Sequence, residues 1–256
     1  MTAETAEIIS YQAPDTADDY RRWDDSASWL LGYSFLPLAL GLTEGRATRL
    51  LDLGCGPGDV TRWLAERSDA VITAVDSSAA MIDFARADAP HPRIDYRHSE
   101  DGLPFLADGS MDAAMACFLF TCVDDESTIR DLITEVARVV RPGGRFTILV
   151  PNPDHASGAE FEGFRRGDAG AAYRAGELMP VHVQRTDGTW TTITNRYWTR
   201  ETYRTALTKA GFEGPVRELA PVHADAVDLA DPELFAGRAW IKERTAAPFL
   251  LITAVK

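Results

Sequence analysis

The stretch Leu50-Leu51-Asp52-Leu53-Gly54-Cys55-Gly56-Pro57-Gly58-Asp59 constrains the fold of this chain more than any other. An apolar run carries an acidic residue, three glycines then alternate with other residues, and a helical pattern begins. Glycine adopts backbone conformations closed to other residues and lets a ligand approach the main chain. A strand that stops in such a loop and feeds a helix is the nucleotide-binding edge of an α/β fold. The spacing narrows the ligand. The dinucleotide fingerprint G-x-G-x-x-G sets its third glycine three residues after the second, whereas Gly58 follows Gly56 by two. The phosphate-gripping pattern G-x-x-x-x-G-K-[ST] is absent. On these residues alone an ordinary tight turn stays open beside a ligand loop.

Strand and helix patterns alternate around this loop. Strands are expected at 49–53, 70–75, 93–97, 111–118 and 145–150, with helices at 59–67, 79–87 and 126–140. Such alternation implies right-handed βαβ units and a parallel sheet. Residues 1–17 are polar, and a helical pattern runs from Asp18 to Leu42, with Pro37 expected to kink or divide it. After residue 150 the rhythm breaks. Val181–Arg185 and Trp190–Thr194 flank Asp187-Gly188, which signals a β-hairpin. A helix over 200–210 ends at Gly211 in the C′ role, and the last strands are expected at 215–219 and 249–255.

At 256 residues the chain can bury a large α/β core. Its formal charge of −13 opposes counterion release on a phosphate backbone, so nucleic acid is not an expected partner. Cys55, Cys117 and Cys122 lack metal-ligand spacing and form no even disulfide set. The acidic N-terminus lacks the basic region of a signal peptide. The longest apolar stretch, 29–40, is shorter than the roughly 20 residues a bilayer span needs. These features set the expectation of a reduced, cytoplasmic protein with no membrane segment and an open oligomeric state.

Asp76 ends the second expected strand, where a carboxylate can accept both hydroxyls of a ribose, or simply cap the next helix. Together with it, Leu51-Asp52-Leu53-Gly54-Cys55-Gly56-Pro57-Gly58 resembles the first motif of the class I S-adenosylmethionine-dependent methyltransferases, in their small-molecule branch. The resemblance implies that Gly54, Cys55, Gly56 and Gly58 wrap the amino-acid end of S-adenosyl-L-methionine. It implies that Asp52 balances the methionyl ammonium. Asp76-Ser77-Ser78-Ala79-Ala80-Met81 resembles the family's Asp-x-Ser-x-x-Met, which brings in Ser77 and places Met81 against the adenine; a core position for Met81 is equally open. Ser99-Glu100-Asp101-Gly102-Leu103-Pro104-Phe105 resembles the third signature, with Ser99 where the family has Asp; Glu100 or Asp101 could substitute. The strand 112–118 resembles the fourth, whose end, with Cys117, faces the transferring methyl. Phe118 and Phe120-Thr121-Cys122-Val123 then border the acceptor pocket; a plain core strand and loop is equally open for each. Val139-Val140-Arg141-Pro142-Gly143-Gly144 resembles the turn before the fifth strand. Tyr20 resembles a family tyrosine that approaches the methionyl carboxylate.

Methyl transfer from a sulfonium depends first on alignment of donor and acceptor. A base is needed only where the acceptor must lose a proton, and His155, after the fifth strand, is the candidate. His182 in the hairpin and His98 after the third strand are lesser candidates; a packed or surface histidine remains open for each. Aromatic residues gather before the core (Trp23, Trp29, Tyr33, Phe35) and after its fifth strand (Phe161, Phe164, Tyr173, Trp190, Tyr197, Trp198). Such a lid suits a hydrophobic or aromatic small molecule.

The expectation is one doubly wound, Rossmann-like α/β domain with a mostly parallel seven-stranded sheet. It comprises a helical N-terminal lid (1–44), a cofactor-binding core (45–150), an acceptor-lid insertion with a β-hairpin (151–199), and a C-terminal helix with strands (200–256). The expected activity is S-adenosylmethionine-dependent methylation of an O or N atom on a small metabolite, in specialised-metabolite biosynthesis, with no metal. An NAD(P)-dependent oxidoreductase and a non-catalytic cofactor-binding protein are the alternatives.

Overall fold

In this computed structural model, residues 19–256 are described; the polar leader over 1–17 and the expected helix start at Asp18 lie outside them. Seven strands form the main sheet. β1 is Arg49–Leu53, β2 Val71–Asp76, β3 Ile94–His98, β4 Met111–Cys117 and β5 Val140–Pro151. β10 (Arg217–Leu219) and β11 (Phe249–Val255) complete it in the order β10-β11-β5-β4-β1-β2-β3. β1 to β5 run parallel, while β11 is antiparallel to β5 and β10 antiparallel to β11. The order reverses between β1 and β4, which is where open α/β sheets bind ligands at their carboxyl edge.

Both faces of this sheet are covered. α5 (Glu126–Val139) buries Ile129, Ile133, Val136 and Val139, the spacing that puts side chains on one helical stripe. Each such side chain contributes about 1.5–3 kcal/mol on removal from water. α6 (Arg200–Lys209) adds Tyr203, Ala206 and Leu207 to the same layer. The opposite face is covered by α1 (Ser26–Leu31), α2 (Leu36–Leu40) and α3 (Asp59–Arg67). α4 (Ala79–Asp88) packs against β2 and β3. Asp125 and Thr199 cap α5 and α6 through their side chains.

Three details depart from the sequence expectation. The N-terminal helix breaks at Gly32, not at Pro37: a Cβ on Gly32 would sit 2.8 Å from the Ser28 carbonyl oxygen and 3.0 Å from Leu149. Pro37 instead lies in the first turn of α2, where its missing N–H costs nothing. β5 starts before Arg145, at Val140; its pairing with β4 jumps from Met111↔Val140 to Ala113↔Arg145, so Pro142-Gly143-Gly144 forms a bulge inside the strand. The insertion after β5 is a four-stranded sheet, of which the expected hairpin is half.

That second sheet has the order β6-β7-β8-β9, all antiparallel: Ala159–Phe161, Phe164–Arg166, Leu178–Gln184 and Trp190–Arg196. Its hairpin is tied to the chain entering α1. Trp23 bridges Arg185, the Asp24 N–H donates to the Gln184 carbonyl at 2.8 Å, and the Thr186 N–H donates to the Arg22 carbonyl at 2.8 Å. Arg185 also holds Asp19 with two nitrogens, at 2.8 and 3.0 Å. The two variable segments thus form one roof over the carboxyl edge of the main sheet.

Candidate active site

Under that roof lies a cavity of about 1080 Å³. Its two ends are built differently. One end is backbone and carboxylate, and the other is rings and one face of the small sheet.

The polar end follows from the loop after β1. The N–H groups of Gly54 and Cys55 both donate to the Val75 carbonyl, at 2.8 and 3.1 Å, which folds the loop over the end of β2. Gly56 has φ +53°, lines the cavity, and a Cβ there would meet nothing within 4 Å. Its N–H donates to Asp76 Oδ2 at 2.9 Å, while the Ser78 N–H donates to Oδ1 at 2.8 Å. Burial raises the Asp76 carboxyl above its ordinary pKa, against the pull of those N–H groups. An ionised carboxylate has about four acceptor sites, so ribose hydroxyls still find room. Ser77, Met81, Ser99 and Glu100 also line this end. Met81 is buried in the first turn of α4, and its N–H is capped by Ser78 at 3.3 Å. The Ser99 hydroxyl donates to the Gly102 carbonyl at 2.7 Å, leaving its oxygen as an acceptor.

Three residues matched to the cofactor loop do not reach the cavity wall. Asp52 is buried beneath the loop, where the Thr61 hydroxyl donates to it at 2.5 Å. Desolvation pushes its pKa up to about 7. Cys55 is buried, and burial drives its thiol well above the usual range. Gly58 faces protein: a Cβ would lie 2.6 Å from Tyr96 Oη and 3.0 Å from Ala85 Cβ.

At the junction of the two ends stand Cys117 and Phe118. Burial keeps the Cys117 thiol protonated. Phe118 has φ +57°, a left-handed conformation that strains a bulky residue. It is held there by its N–H to the Leu149 carbonyl (2.8 Å) and by the Thr121 hydroxyl on its own carbonyl (2.7 Å). Its ring meets Tyr33 and Phe249 edge-on, at 5.9 and 5.3 Å between centroids. Phe164 stacks on Phe249 at 5.5 Å. Trp29 meets Tyr33 at 4.9 Å, and all these rings line the cavity.

Tyr20, just before α1, lines the cavity and shares a side-chain hydrogen bond with Tyr33. Asp25 follows it. This residue occupies the N-cap position of α1, yet its side chain caps nothing and lies on the cavity wall. Asp25 is exposed on its outer side, while its carboxyl is crowded by protein and shares a side-chain hydrogen bond with Trp29. That enclosure, with repulsion from Asp59 and Asp24, pushes its pKa up to about 6. Nothing in the sequence singles out Asp25, because it lies in the run Asp24-Asp25-Ser26, where either aspartate could serve the cap. Asp24 takes Ser26 (2.6 Å) and Arg238 (2.7 Å) instead.

The histidines lie elsewhere. His155 does not line the cavity; its ring packs edge-on against Phe161 at 5.7 Å, and desolvation lowers its pKa. His182 faces the outer side of the small sheet, bonded to Thr192 Oγ1 at 2.8 Å. His98 lies near Glu100, at 3.3 Å, with Nε2 3.0 Å from the Ser77 carbonyl oxygen. Among the described residues no helix is long and apolar enough to cross a membrane.

A family profile described as a methyltransferase domain matches residues 50–144. N-demethylindolmycin N-methyltransferase of Streptomyces griseus is 36% identical over 221 residues, covering 84% of this chain and 92% of that protein. Demethylmenaquinone methyltransferase of Tropheryma whipplei is 36% identical over 110 residues, 43% of each chain. Among solved structures, the chain superposes on the amino pentose methyltransferase CalS10 of Micromonospora echinaspora with TM-score 0.58 and 19% identity, covering 98% of this chain and 99% of that one. A methyltransferase from Mesorhizobium loti gives TM-score 0.56 at 22% identity, covering 87% and 98%; these likenesses establish the fold. The chain belongs to the class I S-adenosylmethionine-dependent methyltransferases. It is an enzyme of the methyl-transferring class, and its cofactor is S-adenosyl-L-methionine.

Proposed function

We propose that this enzyme methylates a nitrogen or oxygen atom of a small aromatic molecule. The observation that carries the reading is the continuity of the cavity, which joins the Gly56–Asp76 end to a chamber walled by Tyr33, Trp29, Phe118, Phe164 and Phe249. The N-methyltransferase relative, similar over most of both chains, supports a nitrogen acceptor.

The residues at the polar end fit the cofactor. Gly56 offers a backbone surface with open space where a side chain would stand, and Asp76 offers a carboxylate to a ribose. Gly54, Ser77, Met81, Ser99 and Glu100 complete that end, with Ser99 accepting from an adenine amino group. When bound, the cofactor supplies a methyl group already activated by a positive sulfur. The chain then has to hold the acceptor in line and keep water out. The rings around Phe118 do both: they offer flat apolar contacts and fill the space solvent would take.

Asp25 is the proton acceptor in this reading. A carboxylate with a pKa near 6 is ionised at neutral pH and is a stronger base than an ordinary aspartate. It would take the proton from an acceptor N–H or O–H and keep the attacking lone pair free. His155 has no such position.

Incubation with S-adenosylmethionine and a panel of indoles, aromatic amines and phenols tests the reading. Formation of S-adenosylhomocysteine with an aromatic amine or phenol, matched by a methylated product in the mass spectrum, is the expected result. Turnover confined to acceptors without a ring would overturn it.

A further inference from the structure

The four-stranded sheet turns one face to the cavity. Phe164, Arg166, Val181, Val183, Ile193 and Asn195 line it, and each alternates with a residue on the outer face. The pairing sets Arg166 beside Val181 and Val181 beside Ile193. An arginine thus sits in an otherwise largely apolar wall, at 3% exposure.

This guanidinium is under-satisfied. It carries five N–H donors. Nη1 donates to the Asn152 carbonyl at 2.7 Å, while Nε is buried with no acceptor among the described residues. No carboxylate there pairs with it. Neighbouring arginines differ: Arg185 holds Asp19, Arg196 holds Asp124, Arg200 holds Asp154 and Glu218, and Arg238 holds Asp24 and Glu162. The titratable groups that bear on Arg166 are the hydroxyls of Tyr203 and Tyr197 and the His155 ring. Desolvation lowers its pKa to about 10, which leaves it charged at neutral pH. A buried charge without a counter-ion is costly, and a ligand that supplies one recovers that cost.

We infer that Arg166 anchors a carboxylate of the acceptor, so that the substrate is an aromatic carboxylic acid held by its ring near Phe118 and by its acid group at the small sheet. Arg166 lies two residues beyond Phe164 on β7, about 6.6 Å along the strand. Phe164 stacks on Phe249, which touches Phe118. The ring chain and the guanidinium therefore mark two ends of one molecule of metabolite size. The planar fork of a guanidinium matches the two oxygens of a carboxylate. Among the described residues Arg166 is the one cation on the sheet's face of the cavity (Arg21 and Arg62 line it elsewhere), so a doubly charged phosphate would stay half-neutralised there. The inference rests on the reading of this chamber as the acceptor site.

The test is calorimetry on protein saturated with S-adenosylhomocysteine. The probes are indole-3-acetate, indole-3-propionate and 3-phenylpropionate, each beside its own amide. At least one carboxylate should bind tenfold or more tightly than its amide. That preference should vanish in Arg166→Gln and survive in part in Arg166→Lys, with S-adenosylhomocysteine affinity kept within twofold in both. If no carboxylate exceeds its amide in the wild type, absence of binding included, the assignment is wrong. Survival of the preference in Arg166→Gln also overturns it. Where Arg166→Gln does not fold, the wild-type comparison decides alone. Failure of S-adenosylhomocysteine to bind at all would strike the cofactor end, a separate result.

Discussion

The Gly56 N–H reaches Asp76 Oδ2 at 2.9 Å across 20 residues of chain, locking the loop after β1 to the carboxylate that ends β2. Together with the Gly54 and Cys55 N–H groups on the Val75 carbonyl, this bond joins the two parts of the polar end. A change at either residue therefore loosens the other.

Asp76→Ala should weaken S-adenosylhomocysteine binding by about 1–3 kcal/mol, because it removes a charge-assisted acceptor and frees the loop. Gly56→Val should abolish binding, since a branched side chain would fill the open space beside the backbone at φ +53°. Calorimetry on both variants checks this, and unchanged affinity would mean the site is misplaced.

Gly58→Ala should act on folding rather than on the ligand. Its Cβ would press on Tyr96 Oη and Ala85 Cβ inside the protein, at φ +87°. A loss of about 1–3 kcal/mol in urea unfolding is expected, with cofactor affinity retained by the folded fraction.

Asp25→Asn should lower kcat at least tenfold at pH 7.5 while leaving S-adenosylhomocysteine affinity unchanged. The wild-type rate should rise with pH through about 6, where the carboxyl ionises. That rise should be absent from the variant. His155→Ala, remote from the cavity wall, should change turnover less than twofold.

Asp52 gives stability a pH dependence. Its carboxyl ionises near 7 in the folded chain, against an ordinary value of 3.8. Between those values the folded state holds the extra proton, so stability falls as pH rises from about 4 to about 7. Each unit of difference is worth about 1.4 kcal/mol, so Asp52→Asn should remove up to about 4 kcal/mol of the total fall across that window. Asp25, Asp59 and Asp76, all raised, keep the slope from vanishing. Asp112 runs the other way: Arg141 and the Thr48 and Arg49 N–H groups hold it near 2, a contribution lost only below about pH 4. Urea titrations at pH 5 and 7.5 check the sign.

The sequence was most legible where the signal is local. The glycine loop, Asp76 and the five parallel strands each announce themselves within a dozen residues, and α3 runs over Asp59–Arg67 as its pattern indicates. β6 and β7, three residues each around Glu162-Gly163, carry too few positions for an alternation to show. Asp25 and Arg166 were invisible for a different reason. Each matters for what it lacks, a cap to make or an acid to meet, and such a lack emerges only when distant segments converge. Gly58 shows the converse: the motif gives its place in the loop, and only the fold shows that Tyr96 and Ala85 fill the space where its side chain would stand.

Because the cofactor grip comes from β1 and β2 while part of the opposite wall comes from a sheet inserted after β5, donor and acceptor preferences rest largely on different segments. A lineage could exchange residues 159–196 and reach a new acceptor without disturbing how the methyl donor is held. The same division makes that sheet the natural target for anyone wishing to redirect this enzyme.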